Sequence, residues 1–136
     1  MKVSIVTVVY NNETTIADAI NSVLDQDYHD IEYIVVDGAS KDGTMDIIKQ
    51  YSNKISKVIS EPDKGIYDAM NKGVALATGD VVGILNSDDF YLNSTVISSI
   101  VEKMISDGVD SVYGDLVYVD PVDTKVVKRY WQSGSF

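Results

Sequence analysis

Apolar positions along the chain fall into runs with two different spacings. Lys2–Tyr10 is a near-continuous, β-branched stretch, the pattern of a strand buried on both faces of a parallel sheet. Asn11 and Asn12 break it, and Ile16, Ala17, Ile20, Val23 and Leu24 then repeat at helical spacing along one stripe. Ile31–Val36 reads as a second buried strand ending at Asp37-Gly38. Thr44–Tyr51 reads as a short helix that Asp42 or Thr44 can cap. Lys57–Ser60 is a third, shorter strand. The loop Glu61-Pro62-Asp63-Lys64-Gly65 follows, because Pro62 disfavours helix in the residue before it. Ile66–Ala77 reads as a helix despite Gly73 inside it, and Tyr67, Met70 and Ala77 are expected to pack in its interface. Gly79-Asp80 turns the chain into a fourth buried strand, Val81–Leu85, which runs straight into Asn86-Ser87-Asp88-Asp89. Thr95–Ser106 is strongly periodic, with Ile97, Ile100, Val101, Met104 and Ile105 on one face and Gly108 as its stop. Ser111–Val119 and Val126–Tyr130 predict two further strands joined at Asp120-Pro121-Val122-Asp123.

Strand and helix in strict alternation predict an α/β fold, a mostly parallel sheet with right-handed crossovers and helices on both faces. Ligands in such sheets bind outside the carboxyl ends of the strands. Three polar clusters fall there: Tyr10-Asn11-Asn12-Glu13 after the first strand, Asp37-Gly38 after the second and Asp88-Asp89 after the fourth. A chain of 136 residues suffices for one such core, so a single domain is expected.

Charge narrows the partners. With 21 acidic and 11 basic residues the formal net charge is −10, which repels a polyanion and argues against nucleic acid. A phosphate-bearing small ligand remains compatible where a divalent cation stands between ligand and protein. There is no cysteine, hence no disulfide and no cysteine-ligated zinc, and the single histidine, His29, has no partner for a metal or nucleophile site. No run approaches the ~20 apolar residues of a membrane span. The first strand starts near Met1 and leaves no room for a signal peptide, so a cytoplasmic location is expected, with membrane association left open for a full-length enzyme.

Adjacent carboxylates at Asp88-Asp89 cannot both face the core, and a bound cation would relieve their repulsion; oxygen-only ligands suit Mg²⁺ or Mn²⁺. The same pair also fits a solvated loop with an aspartate capping the next helix. Asp37 can accept a hydrogen bond from a base or ribose, and the Tyr10 ring can stack on a base. Lys64 stands in a glycine-containing loop able to reach a diphosphate. The first turn lacks the Gly-x-Gly-x-x-Gly of dinucleotide binders, and the chain has neither a Gly-x-x-x-x-Gly-Lys-Ser/Thr phosphate loop nor a Gly-x-Ser-x-Gly nucleophile turn.

Four stretches taken together, Ser4–Glu13, Tyr33–Thr44, Ser60–Gly73 and Ala77–Tyr91, resemble the family 2 inverting glycosyltransferases of the GT-A fold. The Asp63–Gly73 segment is most similar to bacterial enzymes that build O-antigen, colanic acid and related surface polysaccharides. The resemblance implies a nucleotide-diphospho-sugar donor, a saccharide or lipid-linked saccharide acceptor and Mn²⁺ or Mg²⁺ as cofactor. It implies that Thr7, Val9 and Tyr10 lie against the base with Glu13 nearby, and that Asp37 hydrogen-bonds the base, with uracil expected. Lys64 would approach the diphosphate, Asp88 would face the ribose or metal, and Asp89 would be the main metal ligand. The family's general base lies well beyond the acidic motif. The chain is therefore expected to be an N-terminal, donor-binding part, its base beyond Phe136 and its own transfer weak or absent. Asp115 is the nearest other carboxylate, and its position argues for sheet or loop structure. The aromatic tail from Tyr130 to Phe136 is expected to associate with another copy when unpartnered. The readings from other classes are a sugar-phosphate nucleotidyltransferase, whose Gly- and Arg-rich first loop is missing here, and a non-catalytic nucleotide-sugar-binding module.

Overall fold

The computed structural model describes residues 1–134, and its element bounds follow the hydrophobic pattern closely. Val82 and Ile84 of the fourth strand, read as buried, are however 40% and 45% exposed, and Ile105, read as a core position, is 64% exposed. In order they are β1 (Val3–Val9), α1 (Ile16–Leu24), β2 (Ile31–Asp37), α2 (Thr44–Gln50), β3 (Lys57–Ser60), α3 (Ile66–Leu76), β4 (Val81–Asn86), α4 (Val96–Asp107), β5 (Leu116–Val119) and β6 (Val127–Trp131). Where chain length suggested a single domain, the chain divides into two compact units within α4, after Ser99.

The first unit holds a four-stranded parallel sheet in the order β3-β2-β1-β4. β1 is its centre, and all seven of its residues are buried, as the unbroken apolar run requires. Register pairs Val9 with Asp37 and Asp37 with Ser60, and it pairs Val8 with Asn86. The carboxyl ends of β1, β2, β3 and β4 therefore finish at one edge. Side chains alternate across the sheet. Val6, Val8, Ile34 and Val36 pack against Ala69 of α3, with Met70, Leu76 and Ala77 around them. Ile5, Thr7, Tyr33 and Val35 point the other way and are as completely buried, on the side of the sheet where α1 lies along β1 and against α2. Gly73 explains the close approach of α3: a β-carbon there would collide with Val6 Cγ1 and lie 3.3 Å from Val36 Cγ2.

The opposite edge of the sheet is closed by a buried carboxylate. Glu32 accepts from Ser4 Oγ (2.6 Å), Lys57 Nζ (2.8 Å) and Thr78 N (2.8 Å), and Lys2 Nζ lies 3.6 Å away. The Lys57 ammonium first, then the Ser4 hydroxyl and the Thr78 amide, hold its carboxyl far below the ordinary glutamate range.

The second unit contains the end of α4 and an antiparallel β5–β6 pair with an irregularity at Tyr118/Val119. Gly108, at φ 63°, takes the left-handed conformation after α4 and lets Val109 N–H bond Met104 O at 3.2 Å, the stop predicted from sequence. Asp120 accepts from the amides of Val122 and Asp123, which makes the expected turn between the strands. The segment 111–115, read as the start of a strand, is irregular, and Asp115 accepts from Ser133 N at 2.8 Å. β5 and β6 pair with each other and form a sheet of their own. Ser135 and Phe136, the end of the predicted aromatic tail, lie outside the described residues. Among the described residues, no helix is long and apolar enough to cross a membrane.

Candidate functional site

From β1 the chain proceeds outward to β2 and β3, then returns through α3 to β4 on the far side of β1. The strand order therefore reverses between β1 and β4. That crevice, at the carboxyl ends, is where open α/β sheets bind ligands. A cleft of about 510 Å³ opens there, within the range of small-molecule sites. Val8, Val9, Tyr10, Asn11 and Asn12 line it from β1, Asn86, Ser87 and Asp88 from β4, and Asp63, Gly65, Ile66 and Ala69 from the start of α3.

The loop after β1 holds the other two strand-end loops in place. Asn11, at φ 48°, occupies the left-handed region that asparagine tolerates better than most residues. Its amide donates to Ser40 Oγ at 2.8 Å and its Oδ1 accepts from Lys41 N at 2.7 Å. Asn12 N donates to Thr44 Oγ1 at 2.9 Å, and Gly43 N donates to Glu13 Oε2 at 2.6 Å. Toward β4, Asn12 Nδ2 donates to Ser87 Oγ at 3.0 Å and Thr15 Oγ1 donates to Ser87 O at 2.7 Å. Asn12, Thr15 and Ser87 thus tie the start of the acidic motif to the loop that carries Tyr10, and Asn11, Glu13, Ser40 and Thr44 tie that loop to the one after β2.

Asp88 and Asp89 follow β4 directly, both exposed to the solvent side of that edge. They do not cap α4: Asn93 accepts from Thr95 N just before the helix, and Gln26 accepts from Ile97 N in its first turn. Partial burial, then the Asp88 charge, push the Asp89 carboxyl above its ordinary range, while Asn86 Nδ2, donating at 3.3 Å, opposes the shift. That bond fixes the Asn86 amide and leaves its Oδ1 buried with no hydrogen-bond partner. Two mutually repelling carboxylates beside an orphaned carbonyl oxygen suit a hard divalent cation. Among the described residues no group of three or more His, Cys, Asp or Glu side chains gathers to hold a metal. A pair of carboxylates is compatible with a divalent cation such as Mg²⁺ or Mn²⁺, which takes the rest of its shell from water and phosphate.

Of the residues singled out from sequence, Val9, Tyr10 and Asp88 line the cleft, and Asp89 adjoins it. Thr7 does not reach it: the residue is fully buried within β1 and its hydroxyl accepts from Tyr33 OH at 3.0 Å. Asp37 is also fully buried, its oxygens taken by Ser40 N (3.1 Å), the Ser40 hydroxyl and Ser60 Oγ (2.6 Å). Glu13 is exposed and braces Gly43, and Lys64 is exposed, its amide donating to Asp68 Oδ2 at 3.0 Å. Asp42 accepts from Thr44 N at 3.0 Å as a cap would, but Thr44 serves the Asn12 amide instead. Tyr67, expected in the α3 interface, is 78% exposed, while Met70 and Ala77 pack as predicted. Val8, Asn12, Asp63 and Asn86 were not singled out for the ligand. The available signal was that the loop before α3 must return to the same edge as the other strand ends.

The comparisons agree with this geometry. Residues 4–135 match the family described as Glycosyl transferase family 2. The chain belongs to that family, which is a family of transferases, and its fold is that of the GT-A enzymes. An uncharacterized glycosyltransferase of Nostoc sp. is 35% identical over 129 residues, 93% of this chain and 40% of that protein. TuaG of Bacillus subtilis, a glycosyltransferase named for teichuronic acid biosynthesis, is 42% identical over 90 residues, 64% of this chain and 36% of that protein. Among solved structures, S. aureus TarS 1–349 in complex with UDP-GlcNAc matches with a TM-score of 0.73 at 28% identity, over 81% of this chain and 33% of that one. The Pyrobaculum calidifontis mannosyltransferase PcManGT, in complex with GDP-Man and Mn²⁺, shares the fold with a TM-score of 0.72 at 23% identity, over 91% of this chain and 37% of that one. The chain thus spans well under half the length of these relatives.

Proposed function

We propose that this chain supplies the donor site of a metal-dependent, inverting glycosyltransferase that uses a nucleotide-diphospho-sugar, with a UDP-sugar as donor, in the synthesis of a surface polysaccharide. The observation that carries the reading is the cleft at the strand-order reversal, with an exposed tyrosine on one wall, Asn86 and Asp88 on the other and Asp89 beside it. Two kinds of relative support the chemistry: TuaG, named for a polysaccharide pathway, and TarS, solved with UDP-GlcNAc.

In this reading Val9 and Tyr10 receive the base, and Asp88 faces the ribose or the metal. Asp89 is the principal metal ligand, and Lys64 approaches the diphosphate from the loop before α3. Thr7, Glu13 and Asp37 act by holding β1 and its neighbouring loops in register. A bound Mn²⁺ or Mg²⁺ supplies charge compensation for the departing nucleoside diphosphate. Asn86 orients Asp89 through its amide, and the stitched loops keep the base wall at a constant distance from the acidic wall. Inversion also needs an acceptor hydroxyl on the opposite face of the sugar and a carboxylate to take its proton. These residues are assigned to donor binding, and the 136-residue chain by itself is expected to transfer sugar weakly or not at all.

Thermal unfolding with UDP, with and without Mn²⁺, tests the reading by ligand linkage. The wild type should be stabilised by UDP only when metal is present, and Asp89→Ala should lose that shift. A normal metal-dependent shift in Asp89→Ala removes the residue from the site. Pyrophosphate release from a nucleoside triphosphate and a sugar phosphate would favour the nucleotidyltransferase reading instead.

A further inference from the structure

We infer that Asp63, on the loop leading into α3, reads the base of the bound nucleotide by accepting a hydrogen bond from a ring N–H. The inference rests on the donor-site reading above and assigns it a specificity residue. A base offers a flat face and a polar edge, and a selective pocket needs something for each. Tyr10 supplies an aromatic face, 58% exposed and lining the cleft. Asp63 lines the same cleft, and both side chains lie beside the backbone of Gly38. A β-carbon on Gly38 would stand 2.5 Å from Asp63 Oδ2 and 3.3 Å from Tyr10 Cδ2. The carboxylate is oriented, since Oδ1 accepts from Gly65 N at 2.9 Å, and Oδ2 has no hydrogen-bond partner among the described residues.

Asp37 lacks this capacity. It is buried completely, and both its oxygens are engaged by Ser40 and Ser60. A ligand reaching it would first have to open the β2–α2 loop. Asp63 is therefore the carboxylate on this side of the cleft with an oxygen to offer.

The chemistry sets the preference. Uracil and guanine carry a ring N–H that can point at a carboxylate. Cytosine and adenine place a bare ring nitrogen at the equivalent position, where two lone pairs would face each other. A site built to bond an N–H rejects bases without one, because its own acceptor is left unpaired.

Binding of UDP, GDP, CDP and ADP to the 136-residue chain in the presence of Mn²⁺, measured by calorimetry, tests the assignment. The wild type should prefer UDP or GDP over CDP and ADP, and the first two distinguish the two bases that share the chemistry. Asp63→Asn should weaken the preferred nucleotide roughly tenfold and erase its advantage over CDP and ADP. Gly38→Ala, which displaces the same carboxylate without changing charge, should do likewise, with both variants checked for a native circular dichroism spectrum. Wild-type affinity and preference in Asp63→Asn would overturn the inference alone, as would a wild type that does not discriminate among the four. Failure of the wild type to bind any of the four would overturn the donor-site reading and the inference with it.

Discussion

Asp89, just beyond the edge strand β4, and Glu32, near the start of β2, are both carboxylates, and their surroundings push them in opposite directions. The Asp89 carboxyl is raised by burial and by the Asp88 charge, so the folded state binds its proton more tightly than the unfolded state does. Its ionised form costs stability above that raised pKa, and the cost fades as pH falls through it. Asp89→Asn should therefore raise the unfolding temperature of the metal-free protein at neutral pH while abolishing the Mn²⁺-dependent shift. Wild-type Mn²⁺ affinity should weaken as pH falls through the Asp89 pKa, because the ligand must be ionised; titration at several pH values measures this. Glu32 has the reverse sign. Its depressed pKa contributes stability above the ordinary glutamate range, lost as pH falls toward the folded value. Glu32→Gln should cost about 1–3 kcal/mol in urea unfolding at neutral pH, because it removes the charged acceptor shared by Lys57, Ser4 and Thr78, and the difference should narrow in acid. Asp89 was legible from its neighbours in the chain. Glu32 was not, because Ser4, Lys57 and Thr78 are distant in sequence and only the register brings them to it.

Elements followed the hydrophobic pattern because each periodicity corresponds to one way of burying a face. The unbroken run at β1 predicted burial on both sides, and the apolar stripe of α1 predicted its buried residues Ile16, Ile20 and Val23. Gly73 is the instructive exception. In a helix interior it costs about 1 kcal/mol of propensity relative to alanine, and nothing local requires it. The reason is tertiary, since α3 must lie directly on Val6 and Val36. Gly73→Ala should destabilise the fold by about 1–3 kcal/mol through overpacking, despite its better helix propensity. Chemical denaturation of the variant decides between the two effects. Asp37 shows the same limit at the site: a carboxylate at a strand end reads as a ligand contact until Ser40 and Ser60 are found occupying it.

At the scale of the molecule, the second unit presents Leu116, Tyr118, Tyr130 and Trp131 to solvent, with Arg129 stacked 5.7 Å from the Trp131 ring centre. Exposed aromatic area of this kind favours association, so sedimentation should show concentration-dependent self-association that Trp131→Ser weakens. A mass independent of concentration would remove that expectation. The sequence by itself determined which segments are strands and helices, that the sheet is parallel, and that the Tyr10 and Asp88-Asp89 clusters share its carboxyl edge. Those properties depend on periodicity and chain order, which are local or follow from handed crossovers. Only the tertiary structure decided which carboxylates are open to the cleft and which are buried. Asp88 and Asp63 face the cleft, Asp89 stands beside it, and Asp37 and Glu32 are spent inside the protein. Availability depends on hydrogen bonds between residues far apart in the chain, and strand register makes those pairings.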